Sequence, residues 1–307
     1  MSDARHVSGF VSLIGRPNAG KSTLLNALIG TKIAIVADKP QTTRTTVQGV
    51  LTEPGAQVIF LDTPGIHKAD SIMNRRMMHE VRGALDGRDL VLFLADASVH
   101  FSEGDRQAVD VLKNVEAPVL LVLNKIDLLG DKSALLPLID RYRETRSFAA
   151  CIPVSALRAG GLDILKNEIL QRMPEGPQYF PEDQITDQPS RFLAAELIRE
   201  KIIHITRQEV PHSVAVMIDL WEERKRLTRI LATIYVEREG QKAIVIGSKG
   251  SALKQVGTLA RLEMEKLFGV KIFLEMHVKV QPDWREKTNF LDALDWRTMA
   301  GTDESKT

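Results

Sequence analysis

Eight consecutive residues carry the most chemistry in this sequence. Gly15-Arg16-Pro17-Asn18-Ala19-Gly20-Lys21-Ser22 follows the spacing G-x-x-x-x-G-K-S. The glycines let the backbone wrap close to a phosphate, and N–H groups at the start of a following helix favour negative charge. Lys21 would reach the β- and γ-phosphates, and the Ser22 hydroxyl suits Mg²⁺. Asn18, Ala19, Gly20 and Thr23 complete the expected cradle. The flanks are right for it: residues 10–14 read as a buried strand, and residues 23–29 as a helix ended by Gly30.

Further polar residues follow at strand ends. Thr42 and Thr43 lie in a polar loop after the first helix, of the kind that orders around a γ-phosphate and Mg²⁺. Thr43 is the first choice for the metal-ligating hydroxyl, and Thr42 stays as the alternative. Asp62-Thr63-Pro64-Gly65 ends an apolar run, so Asp62 can hold Mg²⁺ through water and Gly65 can bring its N–H to the γ-phosphate. The expected catalytic set is therefore Lys21, Thr43 and Gly65, and the metal set is Ser22, Thr43 and Asp62.

Asn124-Lys125-Ile126-Asp127 selects the base. The Asp127 carboxylate can accept two hydrogen bonds from guanine, whereas adenine would leave it desolvated and unpaired. Asn124 approaches the other edge, and Lys125 lays its stem along the ring. Ser155, Ala156 and Leu157 close the pocket, with backbone N–H groups aimed at guanine O6. The expected ligands are GTP and GDP with Mg²⁺.

The elements that must position these groups alternate. Residues 33–36 read as a strand or an extended approach to a loop, and residues 47–51 and 57–61 as paired strands around a turn at Gly55. Helices are expected near 71–85, 104–114, 134–144 and 162–171. Between them, residues 90–96, 118–123 and 151–154 are near-continuous apolar runs, the mark of strands buried on both faces. This order predicts an α/β domain with a mainly parallel sheet and helices on both sides, over residues 1–175. The chemical residues fall at strand carboxyl ends, where open sheets bind ligands.

A proline-rich stretch over 176–190 reads as a semi-stiff linker, which Tyr179 and Phe180 could pin to a domain surface. Beyond it, Ser190 opens a helix, strands follow near 214–218 and 229–236, and a long helix starts after Gly247-Ser248-Lys249-Gly250. Periodicity makes residues 242–246 a third strand, and residues 272–280 alternate as a half-buried one. This second domain is assigned 191–283, and the tail 284–307. Within the tail Trp284 is expected to pack back, with disorder beyond about Met299.

The totals set limits. A chain of 307 residues fits two domains, and no run is long and apolar enough to span a membrane. A single cysteine, Cys151, excludes an internal disulfide, suits packing in an apolar run, and fits a cytoplasmic location. Net charge is +1, but residues 191–282 hold 16 Lys and Arg against 11 Asp and Glu. That segment is the better partner for an anionic polymer.

Taken together, Gly15–Ser22, the Thr42/Thr43 loop, Asp62–Gly65, Asn124–Asp127 and Ser155–Leu157 resemble the five motifs of a translation-factor-class small GTPase domain. The second half resembles a KH domain of order α-β-β-α-α-β, with Gly247, Ser248, Lys249 and Gly250 as its clamp for RNA backbone. That family pattern makes the lead-in at 244–246 a short strand or helical turn. The combination is similar to bacterial ribosome-assembly GTPases. The resemblance implies GTP hydrolysis with slow intrinsic turnover, because Ile66 stands where signalling GTPases carry the water-orienting Gln. It also implies binding to small-subunit (16S) ribosomal RNA near its 3′ end and to the assembling small subunit. A monomer with some association to the inner membrane surface is part of the same expectation. In similar GTPases an Asn at the place of Asn18 helps hold K⁺, which gives Asn18 an expected catalytic part. Two other readings are a GTPase of transfer-RNA maturation and a non-enzymatic RNA-binding assembly protein with GTP as a structural ligand.

Overall fold

The computed structural model describes residues 6–39, 41–67, 70–206 and 210–297. The expectation of disorder beyond Met299 lies outside them. The chain divides into two compact units. The first comprises Met1–Ala34, Thr43–Lys68 and Arg76–Asp187; the second comprises Ile35–Thr42, Ala69–Arg75 and Gln188–Thr307. The main division falls between Asp187 and Gln188, inside the stretch 176–190, and two short segments of the first half belong with the second.

The first unit is built on a six-stranded sheet. Its strands are β1 (Val7–Gly15), β2 (Val47–Glu53), β3 (Ala56–Asp62), β4 (Leu90–Asp96), β5 (Val119–Asn124) and β6 (Ala150–Pro153), in the order β2-β3-β1-β4-β5-β6. Only β2 runs antiparallel, paired to β3 through the turn at Gly55. The helices are α1 (Lys21–Ile29), α2 (Ile72–Gly83), α3 (Glu103–Asp110), α4 (Leu135–Arg143) and α5 (Leu162–Leu170). Every residue of β3 and β5 is buried, and their apolar stretches 58–61 and 119–123 suit strands covered on both faces. Residues 33–36 form no strand and are the extended approach to the loop. Parallel register sets Leu13 opposite Asp62 and Asp96 opposite Asn124, so the ends of β1, β3, β4 and β5 emerge along one edge. Cys151 is half-buried against the core that includes Phe93 and Leu121.

The proline-rich stretch is a strap rather than a free connector. The Gln57 side chain is fully buried, and its Oε1 accepts the N–H groups of Tyr179 and Phe180 at 2.7 and 2.9 Å. Its amide donates to the Phe180 carbonyl at 2.9 Å. Ser8 Oγ donates to the Pro177 carbonyl at 2.7 Å, Thr186 Oγ1 donates to that of Gln48 at 2.6 Å, and the Tyr179 ring leans on Phe10. Prolines lack a donor, but their neighbours' N–H groups are enough to hold the strap.

The second unit has helices α6 (Ser190–Ile205), α7 (Val210–Ser213), α8 (Glu239–Ile246) and α9 (Ser251–Phe268), with strands β7 (Ala215–Arg224), β8 (Leu227–Val236) and β9 (Lys271–Val280). The strand order is β7-β8-β9, antiparallel then parallel. Leaving aside the one-turn α7, this is the order α-β-β-α-α-β. Residues 242–246, strand-like by composition, are helical. Gln241 Oε1 accepts the N–H groups of Glu237 and Arg238 at 2.9 and 3.1 Å, reaching back to cap the start of α8. Trp284 is fully buried and donates its indole N–H to the Ser213 carbonyl at 2.8 Å. The tail continues through α10 (Thr288–Ala293), where the Phe290 ring meets Tyr235 edge-on and lies tilted against Trp284.

Candidate functional site

The phosphate loop joins β1 to α1. Gly20 has φ 91, and a Cβ there would lie 2.3 Å from the Asn124 amide nitrogen, so the position excludes side chains twice over. Gly65 is excluded by proximity: its Cβ would meet the Pro17 backbone at 2.8 Å. The loop therefore touches both the metal segment and the base segment. Asn18 sits at its exposed tip in the left-handed region, φ 63, which asparagine tolerates.

Lys21 is buried, with Nζ 3.2 Å from the Gly15 carbonyl and 3.0 Å from that of Arg16. Burial pulls its pKa down to about 8, against the charge of Asp62. Burial likewise pushes the Asp62 carboxyl up to about 6, against the Lys21 charge and the hydroxyls of Ser22 and Thr43. Both groups are held out of water at a cost that a bound anion and cation would relieve.

Ser22, Thr43 and Asp62 converge. Ser22 Oγ donates to Asp62 Oδ2 at 2.5 Å, and Thr43 Oγ1 lies 2.9 Å from Ser22 Oγ and 3.4 Å from Asp62 Oδ2. Asp62 Oδ1 is buried and has no hydrogen-bond partner among the described residues. Hard oxygen donors around a spare carboxylate lone pair suit Mg²⁺. Thr42 is elsewhere: its hydroxyl donates to the Lys39 carbonyl at 2.6 Å. The structure thus brings Thr43, not Thr42, to Ser22 and Asp62.

The base segment is tied to the loop by Asn124. Its amide donates to the Ala19 carbonyl at 2.9 Å, and its Oδ1 accepts the Ala156 N–H at 3.0 Å. Asp127 is exposed, and Ser155 Oγ donates to it at 2.5 Å, which aims the carboxylate. Leu157 is 73% exposed, open to contact with a base. Two positions escaped sequence reasoning. Asp96 pairs with Lys125 at 2.6 Å, and Asp105 accepts Arg16 at 2.9 Å and the Tyr142 hydroxyl at 3.0 Å, which braces the phosphate loop. Asp96 ends an apolar run next to the motif strand, and that was its available signal.

The second candidate site is the loop into α9. Gly247 has φ 72, and a Cβ there would lie 2.7 Å from the Ala252 Cβ. Ser248 and Lys249 are exposed, and the loop opens an 18-residue helix whose N–H groups face it.

Residues 10–125 match the family described as 50S ribosome-binding GTPase, and residues 209–285 match the KH domain. GTPase Era of Geobacter metallireducens is 49% identical over 96% of this chain and 99% of its own length. GTPase Era of Staphylococcus haemolyticus is 48% identical over 93% and 96%. The chain belongs to the Era family of GTPases. Era family members are also similar in solved form. A crystal structure of Era with MgGDPNP and nucleotides 1506–1542 of 16S ribosomal RNA superposes with a TM-score of 0.92, at 41% identity and 95% and 99% coverage. A variant of Aquifex aeolicus Era bound to GDP·AlF4⁻ gives 0.89, at 41% identity over 94% and 99%. Among the described residues no helix is long and apolar enough to cross a membrane.

Proposed function

We propose that this chain binds GTP with Mg²⁺, hydrolyses it slowly, and binds the 3′ region of 16S ribosomal RNA during late assembly of the small ribosomal subunit. The observation that carries the reading is the convergence of Lys21, Ser22, Thr43 and Asp62 with Asn124 and Asp127 on one sheet edge, in an Era family chain that also holds a KH domain. Lys21 sets a cation against the β- and γ-phosphates. Ser22, Thr43 and Asp62 would hold Mg²⁺, which when bound neutralises charge developing on the phosphoryl oxygens. The Gly65 N–H can donate to the γ-phosphate. Ile66 packs against the core and has no polar side chain to orient water, so the attacking water depends on backbone groups and on charge at the phosphate-loop tip. Asn18 is placed there and would help hold K⁺.

The relatives' 16S ribosomal RNA complex and the Gly247–Gly250 loop support the RNA half of the reading. A monomeric, cytoplasmic protein with peripheral contact to the inner membrane is part of the same proposal, to be checked by light scattering and fractionation. Single-turnover hydrolysis with and without a 16S 3′ fragment tests the whole. Wild type is expected to convert GTP slowly, and Lys21→Ala to lose nucleotide binding. GTP bound but never cleaved, with or without RNA, would leave GTP as a structural ligand only.

A further inference from the structure

Two adjacent charged residues on α6, Arg199 and Glu200, are only 2% and 1% exposed. Neighbours on a helix point about 100° apart, so burying both takes cover on two sides. One cover is the apolar core of the second unit, where Ile198 and Ile202 sit. The other is the segment Ile35–Thr42, which belongs to this unit. Glu200 Oε1 accepts the Val36 N–H at 2.9 Å, Arg199 Nη2 donates to the Thr42 carbonyl, and Ala37 packs on the unit's core. Arg199 is also gripped by Glu196, through Nε at 2.7 Å and Nη2 at 2.6 Å. Its Nη1 is buried and finds no acceptor among the described residues.

Arg199 pairs with Glu196 and Glu200 with Lys201, and such buried charges are poor evidence for stability, since apolar residues of similar volume often serve as well or better. Their better-attested use is to fix register, and here the thing registered is the loop. The segment is held at both ends: Val36 by Glu200, and Thr42 by Arg199. Within it, the Thr42 hydroxyl closes on the Lys39 carbonyl. One peptide bond beyond Thr42 stands Thr43, whose hydroxyl is 2.9 Å from Ser22 Oγ.

We propose that Arg199 and Glu200 are positioning residues for Thr43: α6 clamps the loop so that the Thr43 hydroxyl is delivered to the Mg²⁺ ligand set of the GTP state. The inference rests on the nucleotide reading above and adds its regulation. Movement of α6 with its loop would add or withdraw one metal ligand, while the Lys21 and Asp127 contacts to phosphate and base stay as they are. GTP affinity would then respond to the clamp and GDP affinity would not, because only the γ-phosphate state needs the loop closed.

The test uses the full chain and a fluorescent, non-hydrolysable GTP analogue titrated at stepped Mg²⁺ concentrations, beside GDP. Arg199→Lys keeps the charge for Glu196 but lacks the fork that also reaches the Thr42 carbonyl. It is expected to raise the Mg²⁺ needed for half-maximal analogue binding about tenfold, from loss of one charge-assisted hydrogen bond. GDP affinity and RNA affinity of the nucleotide-free chain should stay within about twofold, as they depend on neither Thr43 nor the loop. Arg199→Met should do the same more strongly; if it fails to fold, Arg199→Lys decides. Thr43→Ala is the reference. If Thr43→Ala shifts the Mg²⁺ requirement and Arg199→Lys does not, the clamp is wrong and the metal assignment stands. If Thr43→Ala shifts nothing, the metal assignment itself fails. Equal losses for GDP and analogue in Arg199→Lys, with a lowered melting temperature, would reduce Arg199 to a structural part and overturn the proposal.

Discussion

Lys125 Nζ lies 2.6 Å from the Asp96 carboxylate, across the ends of two neighbouring strands. Lys125 is itself in the left-handed region, φ 67, which sets the direction in which its stem leaves the backbone. The hydrogen bonds from Lys125 and Ser98 hold the Asp96 carboxyl below the usual carboxylate range, although burial pushes the other way. Asp96 therefore fixes the stem that would lie along the guanine ring. Asp96→Asn is expected to weaken GDP and GTP binding about threefold to tenfold, the range for one partly exposed charge-assisted hydrogen bond. Isothermal titration with both nucleotides measures it, and unchanged affinities would mean that Lys125 needs no such anchor.

Ile66 leaves charge at the transition state to be met from elsewhere, and Asn18 is the polar side chain exposed at the loop tip. Hydrolysis at saturating Mg²⁺ is expected to be about tenfold or more faster in K⁺ than in Na⁺, because a fixed cation there stabilises phosphoryl charge. Asn18→Gly keeps the left-handed backbone without the side chain, and should erase the difference between the two salts while leaving GDP affinity intact. Equal rates for wild type in K⁺ and Na⁺ would remove Asn18 from the mechanism.

The candidate nucleotide residues stood out because such chemistry demands fixed residue types at set spacings. Asp62 and Asn124 end apolar runs that form buried strands, and Lys21 and Asp127 follow such runs within a few residues. Thr42 against Thr43 was not legible, because adjacent hydroxyls are equivalent until the loop's turn is known. Residues 242–246 look like a strand because β-branched side chains suit both states when short; Gln241 reaching back to Glu237 and Arg238 decides for helix. Arg199 and Glu200 were hidden more deeply. On periodicity they are charged positions of an ordinary surface helix, and their burial depends on a segment more than 150 residues earlier.

Glu265 ties α9 to the start of β9. It accepts the Ile272 N–H at 3.2 Å and pairs with Lys271 at 3.2 Å and Arg261 at 2.9 Å. These contacts, the backbone one foremost, hold its carboxyl below the ordinary value, with burial opposing. A folded pKa lower than the unfolded one stabilises the fold above the unfolded pKa, and the gain is lost as pH falls through the folded value. Glu265→Gln should therefore lower the melting temperature at pH 7, and the gap to wild type should narrow as pH falls below the ordinary Glu range. A gap that persists unchanged at low pH would trace to packing instead.

The two glycines of the 247–250 loop are not equivalent. A Cβ at Gly247 would lie 2.8 Å from the Ala252 nitrogen, whereas one at Gly250 would meet nothing within 4 Å. Any side chain at Gly247 therefore disturbs the start of α9, and loss of RNA binding there would be confounded with loss of fold. Lys249 is exposed, so its charge can be reversed without touching the core. Lys249→Glu should leave the melting temperature and GDP affinity unchanged. It should weaken binding of a 16S 3′ fragment about tenfold at low salt and flatten the salt dependence by roughly one phosphate contact. Gly247→Asp should weaken RNA binding too, but with a lowered melting temperature. Fluorescence anisotropy across a salt series, run beside thermal melts, separates the two. If Lys249→Glu binds RNA as wild type does at every salt concentration, the loop makes no electrostatic contact with RNA and that face of the KH domain serves another partner.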